Sequence, residues 1–196
     1  MTFVLALAVG AEMSPTETIK ARDAEIRAAL PKDGNAITPA TRDKLEAILT
    51  KAVDLESMAK AALGKRWDEQ PKAKQKEFLN AFHTAFRSAI RGQIDFYKSS
   101  KTEFGAEQKE DDRVKVPTTL TVKGEPTDVI YTLKEEKDGW RIVDIIVDDV
   151  STVDNYRASF AKIITKEGFD GLIARLKKRI ETELPGAKAE HKGAKE

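Results

Sequence analysis

The stretch Gly139–Phe160, GWRIVDIIVDDVSTVDNYRASF, decides the fold. Its first half reads as a strand, because Trp140, Ile142, Val143, Ile145, Ile146 and Val147 are aromatic or β-branched. A strand with one wet face alternates apolar and polar side chains, yet from Ile142 to Val147 only Asp144 is polar. Both faces of this strand therefore meet apolar surroundings, which are either a filled core or a cavity. Ser151 then opens a helix whose Val153, Tyr156, Phe160, Ile163 and Ile164 make one apolar face, ended by Gly168. Asp170 caps a last amphipathic helix carrying Leu172, Ile173, Leu176 and Ile180, which closes at Pro185–Gly186.

Upstream, from Lys101 to Asp148, the apolar period is 2. Val114, Val116, Leu120 and Val122 share one parity, Lys123–Pro126 is a turn, and Val129, Tyr131 and Leu133 follow on the next strand. With a further strand near Thr102–Lys109, this predicts an antiparallel meander of three or four strands. Pro117 cannot donate to a ladder and marks an edge or a bulge.

Before the sheet the period is that of helices. Ser14-Pro15-Thr16-Glu17 is a capping box with proline at the first helical position, and the helix runs to about Leu30 before the breaker Pro31–Gly34. Thr38-Pro39 starts a second helix with Leu45, Ile48, Leu49 and Ala52 on one stripe, and Asp54 caps a third, stopped by Gly64. The longest helix spans about Lys72 to Tyr97, with Phe78, Phe82, Phe86, Ile90, Ile94 and Tyr97 along one face. Helices, then sheet, then helices make an α+β fold, a twisted antiparallel sheet covered by N-terminal and C-terminal helices.

Composition narrows the function. The 196 residues carry 34 basic and 33 acidic side chains, and this balance gives no reason to expect a nucleic acid partner. There is no cysteine, which excludes disulfides, thiol catalysis and a lipoprotein anchor. No internal apolar run reaches the length of a membrane span. The opening MTFVLALAVGAEM holds a short apolar block and a small-residue site at Val9–Ala11, without the basic start of a signal peptide. Residues 1–11 read as the end of an export signal beginning upstream, the other reading being an ordinary apolar terminus. Residues 14–184 form one α+β unit, and the tail 185–196 has no apolar periodicity and reads as disordered.

Catalytic signals are sparse. No P-loop, zinc-protease, nucleophile-elbow or dinucleotide motif is present, and His83, the one histidine outside the tail, flanks the aromatic stripe in a structural position. Asp144, Asp148 and Asp149 read as a solvated strand end beside a helix cap rather than metal ligands. Arg175, Lys177, Lys178 and Arg179 complement a helix C-terminus, the other reading being contact with phosphate headgroups or an acidic partner. Arg157, beside Asn155 and Tyr156 on an apolar-rich helix, reads as half of a structural ion pair. No catalytic residue, metal or cofactor is predicted.

Taken in series, the motifs resemble the MlaC family, the periplasmic phospholipid-shuttling component of Mla-type ABC transport, also called the toluene-tolerance auxiliary family. The resemblance rests on Trp140–Asp144, Asp148–Ser151, Asn155–Phe160 and Gly168–Lys178, on Met58, Leu63, Gly64, Trp67, Phe78 and Phe82, and on the strand Val129–Leu133. It runs from about Glu17 to Ile180. Asp149 stands where the family usually has glycine, at a point that requires positive φ. A hopanoid-associated branch of the family is not separated from the phospholipid carriers by these residues.

The resemblance implies a nuclear-transport-factor-like sheet whose covering helices enclose an apolar cavity for lipid tails, phospholipid being cargo rather than cofactor. It also implies a periplasmic location in a Gram-negative bacterium, a part in outer-membrane lipid asymmetry, and partners in an inner-membrane ABC transporter complex and an outer-membrane lipoprotein complex. Phe82, Phe86, Val129, Tyr131, Val143, Ile145, Val147, Tyr156, Phe160 and Ile164 are the expected lining. The rival readings are a closed protein-interaction module of the same fold and a hopanoid- or terpenoid-related binding protein or enzyme.

Overall fold

The computed structural model describes residues 13–31, 36–97, 100–122 and 124–181. Helix α1, Pro15–Ala29, starts in the predicted capping box: the Glu17 amide donates to the Ser14 hydroxyl at 3.2 Å and the Ser14 amide to the Glu17 carboxylate at 2.8 Å. Thr38 caps α2, Pro39–Ala52, and Asp54 caps α3, Leu55–Leu63. Gly64, at φ +56°, stops α3 and leads through a 3₁₀ turn into α4, Lys72–Tyr97. The expected export segment, most of the Pro31–Gly34 breaker, the close at Pro185–Gly186 and the tail lie outside the described residues.

The sheet contains β1 (Ser100–Phe104), β2 (Gln108–Glu110), β3 (Arg113–Val122), β4 (Glu125–Glu136), β5 (Gly139–Val147) and β6 (Val150–Ser151). All pairs are antiparallel in the order β1-β3-β4-β5-β6, with β2 also on β3. The strand expected near Thr102–Lys109 is divided at Gly105 into β1 and β2, and β6 is a two-residue return, so six strands stand where three or four were predicted. Pro117 lies inside β3, but at the break between its two partners: β1 pairs with residues 118–122 and β2 with 113–115. The Pro117 carbonyl accepts from Gly105 at 2.8 Å on that side, so its missing N–H falls where the neighbouring strand is interrupted.

Register assigns the two faces. Thr102 and Phe104 of β1, Val114, Val116, Thr118 and Leu120 of β3, and Val129, Tyr131 and Leu133 of β4 share the inner face. The helices cover that face. Helix α5, Thr152–Glu181, breaks at Gly168, which holds φ +72°. Asp170, expected to cap the last segment, instead pairs with Lys74 of α4 at 2.5 Å, and Arg175 bonds back across the break to Glu167 at 2.5 and 2.8 Å.

The buried apolar residues form two clusters. The larger joins α3, the first half of α4, α5 and the sheet, and includes Met58, Phe78, Phe82, Phe86, Val116, Leu133, Ile142, Phe160 and Leu172. The smaller joins Ile26 of α1, Leu45 of α2 and Ile94 of α4.

Candidate functional site

β5 resolves the anomaly of its own sequence with a bulge. Tyr131 pairs with Ile145 and Thr132 with Asp144, but Leu133 pairs with Ile142, leaving Val143 as an extra residue. One inserted residue reverses parity, so Ile142, Ile145 and Val147 all face inward despite an odd spacing between the first two. Ile146 faces outward opposite Ile130, both partly buried.

The bulge separates the expected lining residues. Val143 is buried, but it lines a polar recess of about 370 Å³ with Lys60, Arg113, Lys134, Asp144, Asp154 and Arg157. Phe82, Phe86, Tyr156 and Phe160 come together between α4 and α5, joined by Phe78 and Phe169, with ring centroids 5.3–6.2 Å apart. Phe82 and Phe160 are fully enclosed by this stack. Tyr131, Ile145 and Ile164 pack against the large cluster while staying partly exposed. Val129 and Val147 pair across β4 and β5 on the inner face, the first buried and the second partly so, and neither belongs to a cluster.

Along α4 the buried face passes from one cluster to the other. Along the apolar face of α4, Phe78, Phe82 and Phe86 are buried in the large cluster and Ile94 in the small one. Ile90, one turn from each neighbour, is only partly buried. On the inner face of the sheet, Leu120 and Val129 are buried yet join neither cluster. The inner-face residues Phe104, Tyr131, Ile145 and Val147 share this incomplete cover. The buried apolar residues thus fall into two clusters, with Leu120 and Val129 in neither. Sequence reading placed Ile90 on the stripe without assigning it to the lining and left Phe104 in an indistinct strand, because periodicity reports which way a side chain points and not how far away the opposite wall stands.

The polar residues singled out in the sequence have structural work. The Asp144 carboxylate, partly buried, accepts from the Ser151 hydroxyl at 2.6 Å, the Ile145 amide at 2.8 Å and the Val153 amide at 3.1 Å, so it holds the start of α5. Asp148 and Asp149 are exposed in the β5–β6 turn, at φ +45° and +65°. Arg157 pairs with Asp154 and donates Nε and Nη2 to the Ala61 carbonyl at 3.2 and 3.1 Å, fastening α5 to the end of α3. Lys177 pairs with Glu77 at 2.7 Å. His83 lines a second recess of about 420 Å³ with Asp54, Glu56, Glu136 and Asp138, and its burial pushes its pKa below the ordinary histidine value. Among the described residues no group of three or more His, Cys, Asp or Glu is arranged to hold a metal ion, and no helix is long and apolar enough to cross a membrane.

These features define an α+β protein with a six-stranded antiparallel sheet, helices over its inner face and a stack of aromatic rings between α4 and α5. The profile described as MlaC protein matches residues 24–178, and the chain belongs to the MlaC family. Among solved structures it is similar to the phospholipid-binding protein from Ralstonia solanacearum in complex with a phospholipid, at 20% identity and a TM-score of 0.72, over 84% of this chain and 96% of that chain. That likeness is one of fold. A search of curated proteins gave no match.

Proposed function

We propose that this chain is a phospholipid carrier that holds acyl chains between the sheet's inner face and helices α4 and α5. The observation that carries the reading is the incomplete cover of apolar residues on two elements, Ile90 on α4 and Phe104, Tyr131, Ile145 and Val147 on the inner face of the sheet. Membership of the MlaC family and the phospholipid in the Ralstonia protein support it. Phe86, Val129, Tyr156 and Ile164 complete the wall, with Phe82 and Phe160 as its aromatic backing. Val143 is left out, because the bulge turns it away.

The energetics favour a carrier that works by contact. Moving about 30 methylenes from water to an apolar site is worth about 24 kcal/mol at roughly 0.8 kcal/mol each. This exceeds the ceiling of about 18–21 kcal/mol reached by non-covalent affinity, so lipid would not leave into water at a useful rate. Between two hydrocarbon-like environments the difference nearly vanishes, and docking sets the direction. The chain accordingly works in the periplasm, receiving lipid from one Mla-type membrane complex and passing it to another, the inner-membrane ABC transporter and the outer-membrane lipoprotein assembly. The headgroup stays near water and is read weakly.

Native mass spectrometry of the purified protein, with extraction of its lipids, tests the reading. One phospholipid per chain, exchangeable with vesicles, is the expected result. Protein that emerges lipid-free and takes none from vesicles would overturn it in favour of a closed interaction module.

A further inference from the structure

On either side of Ile90, α4 is joined to α2 by charges as well as by the small apolar cluster. Helices α1 and α2 bridge the gap from β1 to α4. At one edge α1 meets the inner face of β1: Arg27 donates to Thr102 at 2.7 Å and to Asp23 at 2.7 Å, and Thr102 donates to Asp23 at 3.0 Å. At the other edge α2 meets α4 on the turn that carries Ile90. The Glu46 carboxylate, with its side chain only 8% exposed, pairs with Arg87 at 2.6 Å and Arg91 at 3.0 Å. Arg91 also pairs with Asp43, and Arg42 donates to the Arg91 carbonyl at 2.9 Å.

The two ends of this helix pair are held differently. Ile19 of α1, with Ala52 and Val53 at the end of α2, belongs to the large core, whereas the far end rests on the small cluster of Ile26, Leu45 and Ile94. We propose, on the basis of the carrier reading, that α1 and α2 form a flap hinged at the large core and latched by the Glu46 cluster, and that its opening along α4 is how acyl chains pass in and out. Separating an apolar seam exposes its whole area to water. Parting ion pairs exchanges each partner for hydration, and the cluster of Ile26, Leu45 and Ile94 is much smaller than the large core, so the far end opens at less cost than the hinge end. Glu46 keeps the closed state closed, because its buried carboxylate tolerates no loss of both arginines without rising to solvent.

The absence of cysteine allows a clean lock. In the double variant Asp43→Cys/Arg91→Cys, a short bis-maleimide joins α2 to α4. Lipid-free protein is then mixed with vesicles of phosphatidylethanolamine and phosphatidylglycerol carrying a fluorescent-acyl phospholipid. Linking should slow uptake at least about tenfold relative to the same variant unlinked, while lipid loaded before linking stays bound. Arg87→Ala, at a side chain 58% exposed, should speed uptake and release together by roughly threefold to tenfold. Equal rates with and without the linker overturn the flap and leave the carrier standing. Amide hydrogen exchange reads the hinge without lipid: the second half of α1 and the first half of α2 should exchange as one unit, ahead of α3, and faster in Arg87→Ala. Protection there equal to that of α3 overturns the flap, and failure of every variant to take lipid, with this exchange pattern intact, overturns the carrier alone.

Discussion

Gly168 holds φ +72° and ψ 178°, a region that a residue with a Cβ reaches only under strain. Replacing it with alanine should cost about 1–3 kcal/mol, read as a lower urea midpoint, and should loosen Phe169 from its contact with Phe78, visible in the near-ultraviolet circular dichroism. At the β5–β6 turn Asp148 and Asp149 both sit at positive φ, the geometry of a two-residue hairpin that favours glycine second. Asp149→Gly should therefore stabilise the fold by a few tenths to about 1 kcal/mol. This is the position where the sequence departs from the family pattern, and the departure is legible without the backbone. His83 makes the pH prediction. Its burial depresses the folded-state pKa, so the unfolded chain binds the proton more readily. Its contribution is full above the ordinary histidine pKa and is lost as pH falls from there through the depressed value. The melting temperature should drop across that window, and His83→Gln should flatten the drop. An unchanged slope in the variant would assign the acid sensitivity elsewhere.

At the scale of elements, helix starts were legible because a cap is a local contract between side chain and amide, as Ser14, Thr38 and Asp54 each demonstrate. The bulge at Val143 was not. A one-residue slip inside an apolar run leaves little trace in composition, since Ile142, Val143 and Ile145 are equally apolar. The expected cap at Asp170 failed for a different reason: the helix breaks at Gly168, so Asp170 already lies inside the segment that follows, where its carboxylate pairs with Lys74. The start of α5 shows how the strand and the helix are joined. Ser151 caps the helix, its hydroxyl accepting from the Asp154 amide at 3.1 Å, and Asp144 supports that hydroxyl from the strand behind. Asp144→Ala leaves two amides and a hydroxyl without an acceptor and should cost about 1–3 kcal/mol, with Asp144→Asn recovering part of the loss. A chemical denaturation series checks this, and a null effect for alanine would show that water substitutes for the carboxylate.

For the whole molecule, the sequence showed an apolar wall but not what stood before it. Tyr131, Ile145 and Val147 were recognisable as apolar, yet their cover depends on how far α4 and α5 stand from the sheet, a distance set by side chains in distant parts of the chain. The same dependence yields a test that separates an incompletely packed interior from a filled one. In a close-packed core, enlarging a side chain forces neighbours aside and costs about 1–3 kcal/mol. In a gap, the larger side chain finds room and buries additional apolar area, worth about 25 cal/mol per Å². Ile90→Trp and Ile145→Trp should consequently leave the lipid-free protein as stable as before, or more so, while cutting the phospholipid retained on purification severalfold. Phe82→Trp, inside the closed ring stack at 1% exposure, should instead lose stability. If all three substitutions destabilise alike, the space before the sheet is filled, and the apolar lining is core with no room for an acyl chain.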